Sequence, residues 1–519
     1  MNIVVRLLAV WSIVLVAAGC ATDRLAPYVR PGPEAAPAPQ ADTAFTDIEA
    51  AIARAHGAQA SGFELLDRNE DGLRWRLALI DSARHSIDVQ YYVWFGDASG
   101  RLLAKRLLDA ADRGVRVRML VDDLNTLLET AESVKLRDDV AAWLDAHPNL
   151  ELRLFNPWRD RSLVGRVEEF ALEFERVNHR MHNKALIVDN RAAIIGGRNI
   201  GDEYLGLNAD FNFHDLDVLG IGPVARQASS VFDRFWNSRW VMPVAALKRL
   251  PGTSVTSHSA ARERLGADLQ HLPALARFGV APRDWSHEIG ALARRLHVGT
   301  SRVDTDSPEP EGIRQDMIGR IYELAGTARA EVLIVNAYII PSARTIDFAR
   351  DLKARGVRMT VLTNSLASHD VPAVNSHYKA WRKPILKAGV ELYEIRHDAA
   401  IRHDIADTPP TRATFMGLHS KGMVIDRRRA YIGSMNFDPR SANINSEMGV
   451  FVESPGLAAA LAARIERDLS GANSWRVTLD ANDQLAWTND RETVTRQPAR
   501  NAWQRVQDLL FVVFPSSLY

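Results

Sequence analysis

Apolar and polar positions along the chain follow two rhythms, and the order of those rhythms repeats. Ser86-Ile87-Asp88-Val89-Gln90-Tyr91-Tyr92-Val93-Trp94 alternates with period two and is rich in β-branched and aromatic side chains, which predicts a strand. Before it, Leu73 to Ala83 carries Leu77, Ile80 and Ala83 near helical spacing. After it, Gly100 to Arg113 predicts a helix ended by Gly114, at the position past the last turn where glycine is favoured. Val115 to Asp122 is a second strand and Leu152 to Asn156 a third. Strand, helix and strand within about 40 residues make a βαβ unit, so the expected class is α/β, with parallel strands and helices on the sheet faces.

The pattern then returns. Glu331 to Tyr338 answers the first strand, and Gly389 to Ile395 answers the third. Arg355-Gly356-Val357-Arg358-Met359-Thr360-Val361-Leu362 answers Arg113-Gly114-Val115-Arg116-Val117-Arg118-Met119-Leu120. The most chemical echo is Arg180-Met181-His182-Asn183-Lys184-Ala185-Leu186-Ile187-Val188-Asp189 against Leu418-His419-Ser420-Lys421-Gly422-Met423-Val424-Ile425-Asp426. Each run leads into a glycine-containing turn with an asparagine, Gly196-Gly197-Arg198-Asn199 and Gly433-Ser434-Met435-Asn436. All four echoes are offset by about 240 residues, the mark of an internal duplication.

Length agrees, since 519 residues exceed one ordinary core and suit two domains. We divide the folded chain into units 45–240 and 313–480, an irregular connecting insertion with some helix at 241–312, and a C-terminal segment 481–519. With 64 basic and 64 acidic side chains, the formal charge is zero. That argues against a broad basic face, so no nucleic acid partner is expected. The single cysteine, Cys20, excludes an intramolecular disulfide.

The position of Cys20 is informative. A basic stretch from Asn2 to Arg6, an apolar run from Leu7 to Ala18 and then Ala17-Ala18-Gly19-Cys20 resemble a bacterial lipoprotein signal. The run is shorter than the roughly 20 residues that span a bilayer. The expectation is a signal peptide over 1–19, lipidation of Cys20, and a Pro/Ala-rich tether over 20–44. The chain would then be anchored in the cell envelope on the periplasmic side, with Ala21 favouring the outer membrane. The terminal run Leu509 to Phe514 is short and apolar, which fits a segment closing the core better than an interfacial contact.

As strand residues, His182 and Lys184 project to one side, and so do His419 and Lys421. One such pair would be an ordinary surface or core pair. Two matched pairs, each with an asparagine, Asn199 or Asn436, point to one composite site.

His-x-Lys-x-x-x-x-Asp followed by Gly-Ser-x-Asn resembles the signature of the phospholipase D superfamily. The second copy carries it in full as His419, Lys421, Asp426, Gly433, Ser434 and Asn436, followed by Glu447. The first departs at Gly197, where the signature has serine, and has Asp215 in the slot of Glu447. The resemblance covers most of residues 60 to 455. It implies two tandem phospholipase D-like α-β-α domains related by a pseudo-twofold, with the active site at their interface. One histidine would attack phosphorus to form a phosphohistidine, the other would protonate the leaving alcohol, and precedent favours His182 as nucleophile. Lys184, Lys421, Asn199, Ser434 and Asn436 would bind phosphoryl oxygens, and Asp215 and Glu447 would orient the imidazoles. The motif aspartates Asp189 and Asp426 would hold turns. No metal or other cofactor is implied.

Ile195 to Tyr204, Phe213 to Val218, and Thr363 to Ser368 with Asp370 narrow the likeness to bacterial cardiolipin synthases of the lipoprotein-like C type. That likeness implies transfer of a phosphatidyl group from phosphatidylethanolamine or phosphatidylglycerol to phosphatidylglycerol. The implied partners are phospholipid substrates, the membrane surface and a small accessory protein. The alternative is a hydrolytic phospholipase D or phosphodiesterase, in which water is the acceptor and phosphatidic acid is released.

Overall fold

The computed structural model describes residues 32–123, 144, 147–160, 163–247 and 269–511. Cys20, the signal segment, the start of the tether and Val512 to Phe514 lie outside the described residues.

The first half contributes β1 (Ala60–Leu66), β2 (Ser86–Tyr91), β3 (Arg116–Asp122), β4 (Leu150–Phe155) and β5 (Ala185–Val188). It continues with β6 (Ala192–Gly196), β7 (Phe211–His214), β8 (Asp217–Ile221) and β9 (Val241–Pro243). The second half adds β10 (His297–Thr305), β11 (Ser307–Glu309), β12 (Gly312–Arg314), β13 (Glu331–Asn336), β14 (Arg358–Asn364) and β15 (Glu391–Ile395). Then follow β16 (Phe415–Leu418), β17 (Lys421–Ile425), β18 (Arg429–Gly433), β19 (Met448–Glu453), β20 (Ser474–Leu479), β21 (Leu485–Thr488) and β22 (Thr493–Val494).

Pairing strings 18 of these strands into one continuous sheet. The first half runs β9-β4-β3-β2-β5-β6-β8-β1. The second runs β10-β19-β18-β17-β13-β14-β15-β20, with β21 and β22 beyond. Each half has the same plan, with three parallel strands (β2, β3, β4 and β13, β14, β15) followed by antiparallel ones toward the centre. The two halves meet at the antiparallel pair β1–β10, from Ala60 opposite Thr300 to Phe63 opposite His297, and the pseudo-twofold passes between them. The predicted βαβ units are all present, and Gly114 and Gly356 end the matching helices with φ of 90° and 77°.

Three findings differ from the sequence reading. The span 241–312 holds the Ser286–Ala293 helix but also the nine-residue β10, which is the second half's copy of β1. Residues 34 to 42, read as tether, lie along the first half, where Ala36 N donates to Asp233 and Asn190 Nδ2 to Pro37 O. Arg116 and Arg153 both pair with Glu34. The described start of the terminal apolar run, Leu509 and Leu510, does not close the core. In the Ala502–Leu510 helix, Trp503 is 62% exposed and Leu509 69% exposed, while the polar Gln504 and Asp508 are buried.

The hydrophobic interior has three compartments. One belongs to the first half, around Leu77, Leu107, Val117 and Leu186. A second belongs to the second half, around Ile321, Ile334, Leu352 and Met423. The third is shared: Phe63, Leu216, Val218 and Phe232 pack with Leu333, Val424, Ile432, Val450 and Leu457. Burial of this shared layer removes the need for a linker to hold the halves together, because each exposes a large apolar face without the other.

Beneath the Gly196–Asn199 turn, Asp217 accepts from Arg76 Nη2 at 3.0 Å and Arg198 Nη1 at 2.5 Å, all three side chains fully buried. Removing the carboxylate strands two guanidinium groups. Asp217→Ala is expected to cost about 3–5 kcal/mol of stability. Asp347→Ala, in an exposed pair with Arg350, is expected to cost about 1 kcal/mol or less. Denaturant unfolding followed by tryptophan fluorescence compares the two, and equal effects would contradict this view of the buried cluster.

Candidate active site

Short parallel ladders cross the interface and deliver the two histidines. β7 pairs with β16, Phe211 opposite Phe415 through His214 opposite Leu418, and His419 N then donates to His214 O at 2.8 Å. The pseudo-symmetric counterpart is the bridge of Met181 to Ser446, with His182 N donating to Ser446 O at 2.8 Å. Each histidine therefore sits just ahead of its strand, β5 or the β17 lysine, rather than within it.

The consequence is cross-pairing. His182 Nδ1 meets Glu447 Oε2 of the other half at 2.8 Å. His419 Nδ1 meets Asp215 Oδ2 at 2.5 Å. Both imidazoles are buried and packed edge-on against tyrosines, His182 on Tyr92 at 4.6 Å and His419 on Tyr204 at 5.2 Å. With Nδ1 committed to a carboxyl group, Nε2 is the reactive edge of each ring.

Lys184 Nζ donates to His182 O at 2.7 Å, and Lys421 Nζ donates likewise to His419 O. The ammonium groups lie over Tyr92 and Tyr338, 5.2 and 5.7 Å from the ring centroids. Asn199 and Asn436 each keep a buried amide oxygen with no hydrogen-bond partner. Such uncommitted amides beside two lysines suit a ligand that brings its own polar atoms.

Ser434 has a different setting from the phosphate contact expected of it. Its hydroxyl donates to Glu447 Oε2 and accepts from Met448 N at 3.0 Å. The Gly197 departure has a matching physical reason. A Cβ at 197 would overlap Asp215 Oδ1 and crowd Lys421 Cδ. Instead, Asp215 Oδ1 accepts from Leu216 N at 2.8 Å, and Arg198 Nη2 donates to Asp215 O at 2.8 Å. The long carboxylate is steadied by a serine and the short one by backbone with a glycine to make room.

Asp189 and Asp426 are placed away from the imidazoles, at the far ends of β5 and β17. Asp189 accepts from the backbone N–H groups of Arg84, His85 and Ser86, and Asp426 from those of Arg329, Ala330 and Glu331. Each takes φ near +50° and holds the start of β2 or β13. Side chains the sequence reading did not single out also frame the site: Tyr92, Tyr338, Arg198 and Arg440. Tyr92 directly follows β2 and Tyr338 lies two residues beyond β13, so the two rings come from neighbouring but not equivalent positions. Arg440 binds Asn178 across the interface at 2.7 Å, which only the fold reveals.

Electrostatics divides the two histidines. Burial, the two lysines and His419 hold His182 well below the ordinary imidazole range, so it is neutral. Burial and Lys421 also lower His419, but Asp215 opposes them. Burial works to raise Asp215, yet the charge and hydrogen bond of His419, with Lys421, keep it below the usual carboxylate range and ionised. Burial pushes Glu447 well above its usual range. Burial brings Lys184 down to about 7 and Lys421 to about 8.

The family model described as "Cardiolipin synthase, PLD-like domain" matches residues 77–236 and 321–469. The chain is 35% identical to cardiolipin synthase C of Escherichia coli K12 over 461 residues, 87% of this chain and 94% of the relative. The chain belongs to the phospholipase D-like cardiolipin synthase family. It is an enzyme of that family, a phosphatidyltransferase. Cardiolipin synthase B of E. coli K12 is 26% identical, over 76% of this chain and 77% of its own. In fold, the chain is similar to the crystal structure of phosphatidylserine synthase from Haemophilus influenzae Rd KW20. That match has a TM-score of 0.53 and 14% identity, over 78% of this chain and 85% of that one.

Two outcomes follow. A lysine depressed by burial loses its charge as pH rises through its folded value, so kcat/KM is expected to fall as pH climbs through about 7 to 8. His182 stays neutral well below its ordinary value, which puts the acid limb at still lower pH. A profile that keeps rising to pH 9 would contradict this. Gly197→Ser completes the signature but displaces Asp215 from His419, and is expected to lower kcat by about 10²-fold. Steady-state kinetics with an unchanged kcat would show that the glycine is dispensable.

Proposed function

We propose that the enzyme is a cardiolipin synthase that transfers a phosphatidyl group from phosphatidylethanolamine or phosphatidylglycerol to the free hydroxyl of phosphatidylglycerol. The observation that carries this reading is the unequal pair of cross-interface histidines set between two buried lysines. His182 Nε2, neutral, attacks phosphorus while the bond to the headgroup oxygen breaks, and His419 gives that oxygen its proton. Asp215, ionised, opposes the lowering of His419 by burial and Lys421, so His419 takes a proton more readily than His182. The acceptor hydroxyl then yields its proton to His419 and attacks phosphorus, breaking the bond to His182. Lys184 and Lys421 supply the positive field for the charge on the phosphoryl oxygens.

A membrane setting accords with one further feature. The Ala502–Leu510 helix is held by its polar edge: Asn375 Nδ2 donates to Asp508 at 2.6 Å and Lys379 Nζ at 2.9 Å. Its apolar edge, with Trp503, Val506, Leu509 and Leu510, faces outward. Arg500, just ahead of this helix, stacks 3.6 Å over Phe415 of β16, the strand that leads into His419. An apolar helix face beginning at the rim of the site suits contact with the lipid interface. Lipidation of Cys20, a periplasmic position on the outer membrane and a small accessory protein complete the proposal. Among the described residues no helix is long and apolar enough to cross a membrane.

The test is the product formed by the purified enzyme from defined phospholipids. Cardiolipin is expected with phosphatidylglycerol present, and phosphatidic acid alone would establish the hydrolytic alternative. His182→Ala and His419→Ala are each expected to lose turnover by about 10³-fold or more, and full activity in either would end the two-histidine mechanism. Trp503→Glu combined with Leu509→Glu is expected to lower turnover on vesicles several-fold. Turnover in mixed detergent micelles should be retained, and equal loss in both would assign the helix a folding role instead.

A further inference from the structure

The second half contains a cavity of about 330 Å³ between the Met317–Gly326 and Ala343–Ala354 helices and the turn that follows Asn436. Its walls are apolar, with Ile321, Ile334, Ile339, Phe348 and Phe437 prominent, and Asp438 and Arg344 also on its lining. Its size lies at the lower end for small-molecule sites.

The pseudo-twofold supplies an internal control. Here Ile340 N donates to Phe437 O at 2.8 Å and Phe437 N to Tyr338 O at 3.0 Å, around the bridge of Ile339 to Phe437. In the first half, Phe95 N donates to Ile200 O at 2.9 Å and Ile200 N to Val93 O at 3.2 Å, around the bridge of Trp94 to Ile200. Trp94 thus occupies the place of Ile339. Its indole packs on the first half's core, meets Tyr91 edge-on at 5.8 Å, and donates from Nε1 to Gly100 O at 3.2 Å. At this place one half has a tryptophan packed on its core, and the other has an isoleucine that lines the cavity. An apolar cavity of this size, walled by aliphatic and aromatic side chains, suits an apolar occupant.

The cavity adjoins the site directly. Ile339 and Ile340 follow Tyr338, whose ring lies under Lys421 Nζ and edge-on to His419 at 6.1 Å. Phe437 and Asp438 follow Asn436, and the carboxylate of Asp438 acts on Lys421. Residues that directly follow Tyr338 and Asn436 therefore form part of this lining.

We propose that the cavity holds one acyl chain of a phospholipid bound at the histidines. The inference rests on the reading that the substrate is a phospholipid. An acyl chain is uncharged, narrow and flexible, so it can enter between helices and leave its glycerol and phosphate at the site. The cavity would make the enzyme sensitive to chain length on one side of the site only.

The test is kcat/KM against donor chain length, with short-chain phospholipids kept as monomers below their critical micelle concentrations. Each methylene buried is worth about fourfold, so the wild-type value is expected to climb steeply with length until the cavity is full. Ile339→Trp copies the first half and fills the space, and the climb is expected to flatten while short-chain donors react within about twofold of wild type. Ala442→Phe enters from the other wall and is expected to do the same, so the test does not depend on one variant folding. Either variant, melting like wild type yet keeping the full chain-length dependence, would overturn the proposal. A fluorescent long-chain fatty acid separates this from failure of the functional reading. Binding to wild type and not to Ile339→Trp supports the cavity even if no lipid is turned over, and equal binding to both overturns it.

Discussion

Each of the two site histidines is hydrogen-bonded to a carboxyl group from the other half of the chain. The bonds from His182 to Glu447 and from His419 to Asp215 are the constraint around which the rest is arranged. They demand that two similar sheets meet edge to edge at β1 and β10, that a shared apolar layer seal them, and that short ladders carry the histidines across. Neither half holds a complete site. The shared apolar layer keeps the two halves together in the arrangement the site requires.

Duplication produces two equal imidazoles, yet the proposed reaction needs an attacking one and a proton-carrying one. The divergence is small and local. Ser434 with Glu447 became Gly197 with Asp215, exchanging one methylene of carboxylate length for one missing side chain. The longer acid is buried and pushed toward its neutral form, whereas the shorter one remains ionised against His419. His182 is thereby left without a charged partner to hold a proton on it. The same logic of one copy diverging beside another reappears where Ile339 replaces Trp94.

Much of this was legible from residues. The β-rich runs, the helix-ending glycines and the doubled His-Lys-Asn pattern identified the α/β class and the members of the site. What escaped was long-range. β10 is sandwiched between two strands, but its burial is partial along most of its length, so His297-Val-Gly-Thr-Ser-Arg-Val-Asp-Thr305 carries no apolar alternation to read. The crossing of the acids depends on where the sheets meet, and no spacing encodes that. Leu509 and Leu510 face outward against the usual tendency of apolar residues, because Asp508 binds Asn375 and Lys379 and turns the helix's polar edge inward.

The central claim is that the asymmetric carboxyl groups make His182 the nucleophile. Rapid quenching of the enzyme with donor phospholipid and no acceptor, followed by peptide mass mapping, tests it most directly. The account predicts a phosphatidyl mass on His182. The same mass on His419, or turnover of the donor with no covalent adduct on either histidine, would contradict it.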